Sequence, residues 1–265
     1  YETYSVDTLL SGAKPLFVPL YPPEFNFDPE ELRRAFKQGA KALLLCNPSN
    51  PCGKVFTASE LQYIASLSKE HGTFVIVDEV YEHIIYAPRR HTYIASLVGM
   101  FETTISCGSL SKTYAITGWR LGYVIASHQV SQGVRKLHDF LTLAAPTPLQ
   151  EAAVTALGFT DSYYQRLIIE YTQRRDLLLG YLDEIGLSYI PPQGAYFVLV
   201  DISPFGYPDD NDFCLWLAKE IGVAGVPGSY FFHEPVKRYI RLNFAKREKT
   251  LIEVGKRLAR LKEKG

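Results

Sequence analysis

The chain has 265 residues, 47% of them hydrophobic, and its 28 basic and 28 acidic side chains cancel to a formal charge of zero. A chain of this length buries a large core, as one large domain or as two unequal ones. The charge balance excludes the single-sign field that gathers nucleic acid or an anionic membrane, so small molecules or proteins are the expected partners.

In chain order, the first stretch, YETYSVDTLL, lacks the basic patch and apolar run of a signal peptide. No apolar run anywhere reaches membrane-spanning length, so the expected location is the cytoplasm. Short β-rich runs then alternate with helical patterns: LFVPL at 16–20, DPEELRRAFKQ, KALLLC at 41–46, TASELQYIASLSKEHG, and TFVIVDE at 73–79. This alternation predicts βαβ units and a mainly parallel sheet between helices, an α/β fold. The second helix carries a capping box, Thr57 with Glu60 three residues on, and its pattern stops at Gly72. TISCG (104–108) and LGYVIA (121–126) extend the sheet, which such apolar runs predict to be buried on both faces. From about Asp161 a long amphipathic helix, SYYQRLIIEYTQRRDLLLGYLDEIG, bridges to a second part. Strands at 196–202 and 239–245 with helices at 209–221 and 246–263 give that part a smaller α+β character. The expected division is therefore a large domain over 1–160, and the interdomain helix with a small C-terminal domain over 161–265.

Cys46, Cys52, Cys107 and Cys214 form no C-x-x-C pair and have no His at ligand spacing, so neither a disulfide framework nor a metal site is expected. Chemistry concentrates instead in four blocks: NPSNPCG (47–53), DEVYEHIIY (78–86), SLSKTYAITGWRLGY (109–123) and YIRLNFA (239–245). Each has an ordinary reading by itself. Asp78 after FVIV is a helix cap or a residue of a ligand crevice at a strand end. Lys112 is a solvated lysine, Arg120 and Arg241 are ion-pair partners, and NPSNPCG is a turn.

Together and in this order, the four blocks resemble the fold-type I pyridoxal 5'-phosphate (PLP) aminotransferases, the aspartate aminotransferase superfamily. The likeness runs from YETY through RLNFAKRE. DEVYEHI, KTYAITGW, VRKLHDFLT and RLNFAKREKTL are similar to the kynurenine/methionine aminotransferase branch. The resemblance implies that Lys112 carries the cofactor's aldehyde as a Schiff base and then acts as general base. It implies that Asp78 keeps the pyridine nitrogen protonated, that Tyr81 and Asn50 donate to the ring's phenolic oxygen, and that Ser109, Ser111 and Arg120 hold the phosphate. Arg241 matches the arginine that grips the substrate α-carboxylate as a fork, where lysine could not. Tyr1 and Tyr4 align with an aromatic segment whose first ring stacks on the pyridine. Asn50–Pro51 is expected to be cis, turning the Asn50 amide toward the cofactor.

Members of that family begin with an arm, a helix, a strand and a phosphate-binding loop before the segment matched by Tyr1, so the large domain is expected to be N-terminally incomplete. A homodimer is implied by the resemblance. Transamination between an L-amino acid and a 2-oxo acid is the implied reaction. FLTLAAPTPLQEAA (140–153) contains no basic residue where dicarboxylate-specific relatives carry a second arginine, so apolar, thioether or aromatic donors are expected. The alternatives are a PLP-dependent cysteine-conjugate C–S lyase built on the same residues and a non-catalytic PLP-fold module.

Overall fold

The computed structural model describes residues 1–234 and 236–263. It groups them into two compact units that interleave along the chain. One, the parallel-sheet unit, comprises Leu16–Pro48 and Val55–Leu167; the other, the antiparallel-sheet unit, comprises Tyr1–Pro15, Ser49–Lys54 and Ile168–Gly265. The sequence reading draws a single boundary at 160/161, and chain order alone does not suggest that 1–15 and 49–54 group with the C-terminal half.

Helix α1, Thr3–Leu10, buries no residue, and its Val6, Leu9 and Leu10 are exposed. In the parallel-sheet unit α2 spans Pro29–Lys37, started by Asp28, whose side chain accepts from the Glu30 amide. Strand β1 is Ala42–Cys46, helix α3 Ala58–His71 and strand β2 Phe74–Asp78. Both halves of the Thr57/Glu60 capping box form, and Gly72 closes α3 in the left-handed region. Strand β3, Thr104–Ser109, leads into the four-residue helix α4, Leu110–Thr113, and strand β4 is Gly122–Ile125. The strand order is β1-β2-β3-β4, with the first three parallel and β4 antiparallel to β3. Leu32 and Phe36 of α2, Leu61, Ile64 and Leu67 of α3, and Val75 and Val77 of β2 form one buried cluster.

Two expectations fail here. Residues 16–20 form no strand, because Pro15 and Pro19 have no N–H for a ladder and the chain reverses at the Tyr21–Asn26 bridge. The sheet is not buried on both faces at β4, all four of whose residues are exposed. Helices α5, His128–Leu141, and α6, Thr147–Leu157, follow; α5 buries nothing, although Val130, Val134, Leu137 and Leu141 form an apolar stripe along it.

Helix α7, Asp161–Glu184, buries Tyr171, Leu178 and Leu182, seven and four residues apart, which is one helical stripe. The antiparallel-sheet unit then contains β5 (Tyr189–Ile190), β6 (Phe197–Asp201), α8 (Asp210–Trp216), β7 (Val226–Pro227), β8 (Tyr239–Asn243) and α9 (Glu248–Leu258). Its sheet order is β5-β6-β8-β7, antiparallel throughout. Every residue of β6 is buried, as are Phe213, Leu217, Phe244 and Leu251 of the same unit. Among the described residues no helix is long and apolar enough to cross a membrane.

Candidate active site

Strands β1 and β2 end level with one another, Cys46 beside Asp78, and Asp78 pairs with Cys107 of β3, which runs two residues further to Ser109. The ladder continues one residue further, the Asn47 amide donating to the Asp78 carbonyl (2.9 Å) and the Glu79 amide to that of Cys107 (2.9 Å). Here the apolar runs give way to Asn47, Asp78 and Ser109, at the strand edge where open α/β sheets place ligands. The Asp78 carboxylate accepts from the Val80 amide at 3.1 Å, so the ordinary capping reading is also satisfied. That turn delivers Tyr81, which is buried.

Ser109 is at once the last residue of β3 and the cap of α4. Its Oγ accepts from the Ser111 amide (3.1 Å) and donates to the Leu121 carbonyl (3.3 Å). Ser111 is buried and Lys112, the third residue of α4, half-buried. The chain then doubles back through Ala115 and Arg120, both at φ 55°. A side chain in that left-handed region costs about 1 kcal/mol, so two such residues mark a turn imposed by its surroundings. Arg120 is exposed, its Nη1 donating to the Thr117 carbonyl at 2.9 Å.

Four residues cannot sustain a helix by themselves. From α7, Tyr163 donates to the Thr113 carbonyl (2.8 Å), while the hydroxyls of Tyr114 and Tyr164 lie 2.8 Å apart. Beside this, Glu82 accepts from Tyr123 (2.5 Å) and Tyr93 (2.7 Å). Burial, then the bond to Glu82, pushes both phenols well above their ordinary pKa and keeps them neutral donors. The sequence reading singled out none of these tyrosines. Tyr114 and Tyr123 lie within the 109–123 block and Tyr163–Tyr164 open a long helix, but no motif marks any of them.

In the antiparallel-sheet unit, Asn50–Pro51 is cis, as expected, and Asn47–Pro48, which precedes the unit's 49–54 segment, is cis too. Gly53, at φ 69°, is docked so closely that a Cβ would lie 2.7 Å from both the Gly194 carbonyl and Pro192. Its own carbonyl accepts from the amides of Gln193 (2.9 Å) and Gly194 (2.8 Å). The docked turn presents Asn50, whose Oδ1 accepts from Arg241 Nη1 at 2.6 Å. The Arg241 guanidinium carbon lies 4.2 Å from the Phe197 ring centre and 4.5 Å from that of Phe231. Tyr1 is 45% exposed, edge-on to Tyr4 at 5.7 Å. Asp78, Tyr81, Ser109, Ser111, Lys112 and Arg120 thus belong to one unit, and Asn50, Arg241 and Tyr1 to the other.

Residues 1–258 match the family model for aminotransferase class I and II. This chain belongs to the class I and II aminotransferases. It is 36% identical to the methionine aminotransferase of Escherichia coli K12, covering 98% of this chain and 68% of that protein. It is 34% identical to human kynurenine–oxoglutarate transaminase 1, over 99% of this chain and 70% of the relative. The solved N-succinyldiaminopimelate aminotransferase of Mycobacterium tuberculosis superposes with a TM-score of 0.94 at 36% identity, over 98% of this chain and 69% of that one. Class I and II aminotransferases are PLP-dependent transaminases. The donor set fits that cofactor: a strand-end carboxylate for a pyridinium, a lysine amine for an aldehyde, and two serine hydroxyls with a guanidinium for a phosphate dianion.

Proposed function

We propose that this aminotransferase moves an amino group between an L-amino acid with an apolar, thioether or aromatic side chain and a 2-oxo acid. The observation that carries the assignment of roles is the parallel register that pairs Asp78 at the end of β2 with Cys107 of β3. It puts Asp78 on β2 beside β3, whose last residue caps the helix of Lys112. When bound, PLP supplies an electron sink for the bond broken at the substrate Cα. Asp78 would hold a proton on the pyridine nitrogen, and Tyr81 would donate to the ring's phenolic oxygen. Ser109, Ser111 and Arg120 would bind the phosphate. Lys112 Nζ would hold the aldehyde end of the resting cofactor and, once displaced, take the proton from the substrate Cα. Arg241 would receive the α-carboxylate on its N–H fork, with Asn50 fixing one edge of the guanidinium and also reaching the cofactor oxygen. Tyr1 would stack on the pyridine ring.

A large domain over 1–160 and a small one over 161–265, a cytoplasmic location and a homodimer complete the reading. The end of α5 supports the last: Phe140, Leu141 and Leu143 are 92%, 82% and 77% exposed, an apolar surface that a second subunit would cover. The donor reading is supported by the absence of a basic side chain from 140–153 and by the methionine and kynurenine relatives. Borohydride reduction of the holoenzyme followed by peptide mapping tests the core of the proposal. The phosphopyridoxyl group is expected on Lys112, and its recovery on another lysine would overturn the assignment.

A further inference from the structure

Arg241 sits on β8, the strand flanked by β6 on one side and β7 on the other. Its register partners are Leu199 of β6 and Val226 of β7. Phe197, two residues before Leu199, is its diagonal neighbour from the β6 side. Phe231 reaches it from the turn that follows β7. Two aromatic rings within 4.5 Å of the guanidinium carbon shield it from water and favour it electrostatically, and Asn50 Oδ1 accepts from one of its N–H groups. Such contacts fix the plane of the guanidinium, and with it the direction of the N–H fork.

The Phe231 ring is itself held from a distance. Gly228–Phe231 is a single 3-10 turn, too short to be rigid by its own bonds. Its geometry is fixed at two points. A Cβ on Gly228 would lie 2.4 Å from the Tyr239 carbonyl, so the turn lies directly against β8. Asp210, fully buried in the first turn of α8, accepts from the Ser229 amide (2.7 Å) and the Ser229 hydroxyl (2.9 Å) through its two oxygens. A buried carboxylate is retained where it is hydrogen-bonded, and here both oxygens accept from Ser229 while Oδ1 also accepts from the Asn211 side-chain amide at 3.5 Å.

We propose that Phe231 is a positioning residue for the substrate carboxylate, presetting the Arg241 fork, and that the Asp210–Ser229 clamp is what places the Phe231 ring. The proposal rests on the reading of Arg241 as the carboxylate ligand. In a ping-pong cycle the amino donor and the 2-oxo acceptor present the same carboxylate to the same arginine, in ground state and transition state alike. Loss of the ring therefore raises KM for both substrates and leaves kcat in place.

The test uses holoenzyme of the full chain and three variants, Phe231→Leu, Phe231→Tyr and Ser229→Ala, with Arg241→Lys as reference. KM and kcat for donor and acceptor are measured beside the Kd of 3-phenylpropanoate, an unreactive carboxylate, and the cofactor content of each protein. For Phe231→Leu both KM values and the probe Kd are expected to rise about tenfold, the size of a desolvated cation–π contact, with kcat and cofactor content unchanged. Phe231→Tyr keeps the ring and is expected to stay within about twofold, and Ser229→Ala to shift in the same direction as Phe231→Leu by about threefold. Should Phe231→Leu fail to fold, the Ser229→Ala and Phe231→Tyr pair decides by the same criteria. A rise in Kd for Arg241→Lys with none for Phe231→Leu or Ser229→Ala overturns the positioning role and leaves the carboxylate reading standing. So does an equal loss in Phe231→Tyr and Phe231→Leu. An unchanged Kd in Arg241→Lys overturns the carboxylate reading, and the positioning role with it.

Discussion

Lys112 stands on a helix of four residues whose two ends are held by hydroxyls, Ser109 at the start and Tyr163 at the Thr113 carbonyl. An amine on a turn fixed in this way has a defined reach, which proton transfer at a substrate carbon requires. Lys112→Ala should abolish the visible absorbance of the bound cofactor and lower kcat by about 10²–10⁴-fold through loss of the base alone. Absorbance spectra and steady-state rates check this. His83 carries a pH signature. Its ring lies 4.5 Å from that of Tyr164, and burial, opposed by Glu82 and reinforced by His91, lowers its pKa from the ordinary 6.5. The unfolded chain therefore binds this proton more readily than the native one. Its contribution to stability is complete above pH 6.5 and is lost as the pH falls toward the lowered native value. His83→Gln should flatten the fall of the urea midpoint between about pH 7.5 and 5 relative to the parent protein.

At the scale of elements, α3 is specified by its own ends. The Thr57 hydroxyl accepts from the Glu60 amide at 3.2 Å, the Glu60 carboxylate accepts from the Thr57 amide at 2.7 Å, and Gly72 supplies the left-handed stop. Thr57→Ala should cost about 1 kcal/mol, read as a lower urea midpoint at constant slope, whereas Thr57→Ser should cost far less. Helices α1 and α5 are the opposite case. Neither buries a residue, so packing within this chain's core does not specify them. Strand β4 shows the same contrast within the sheet. Its residues are as apolar as those of β2, yet Tyr123, Val124 and Ile125 are 36%, 42% and 52% exposed.

At the scale of the molecule, the residues proposed to hold the cofactor's ring, aldehyde and phosphate, other than Asn50 and Tyr1, belong to the parallel-sheet unit, and Arg241, proposed for the carboxylate, to the antiparallel-sheet unit. The side-chain end of the substrate is the variable part. A region without a cation leaves a second carboxylate unpaired, at a cost of several kcal/mol, while a thioether or aromatic ring gains from burial. Methionine and phenylalanine should therefore exceed aspartate in kcat/KM with a common 2-oxo acid acceptor. Comparison of the three donors checks it, and a preference for aspartate would show that a cation reaches the distal end of the substrate.

Local chemistry was sufficient for α2, α3, β1, β2, β3, β6 and β8, because caps, apolar period and turn residues act over a few positions and are written in order along the chain. The candidate residues were located in the same way, Asp78 after its strand and Ser109, Ser111, Lys112 and Arg120 in one short block, but each has an ordinary reading by itself and the proposed roles come from the resemblance of the four blocks together. Tertiary structure alone decided three things. It grouped residues 1–15 and 49–54 with the C-terminal half, because Gly53 docks on Gln193 and Gly194, some 140 positions away in sequence. It left β4 exposed and 16–20 without a strand, because burial and pairing depend on neighbours that a single segment does not contain. It placed Phe231 and Phe197 on Arg241 and Tyr163 on the lysine turn, contacts between residues ten to fifty positions apart that no local period or motif encodes.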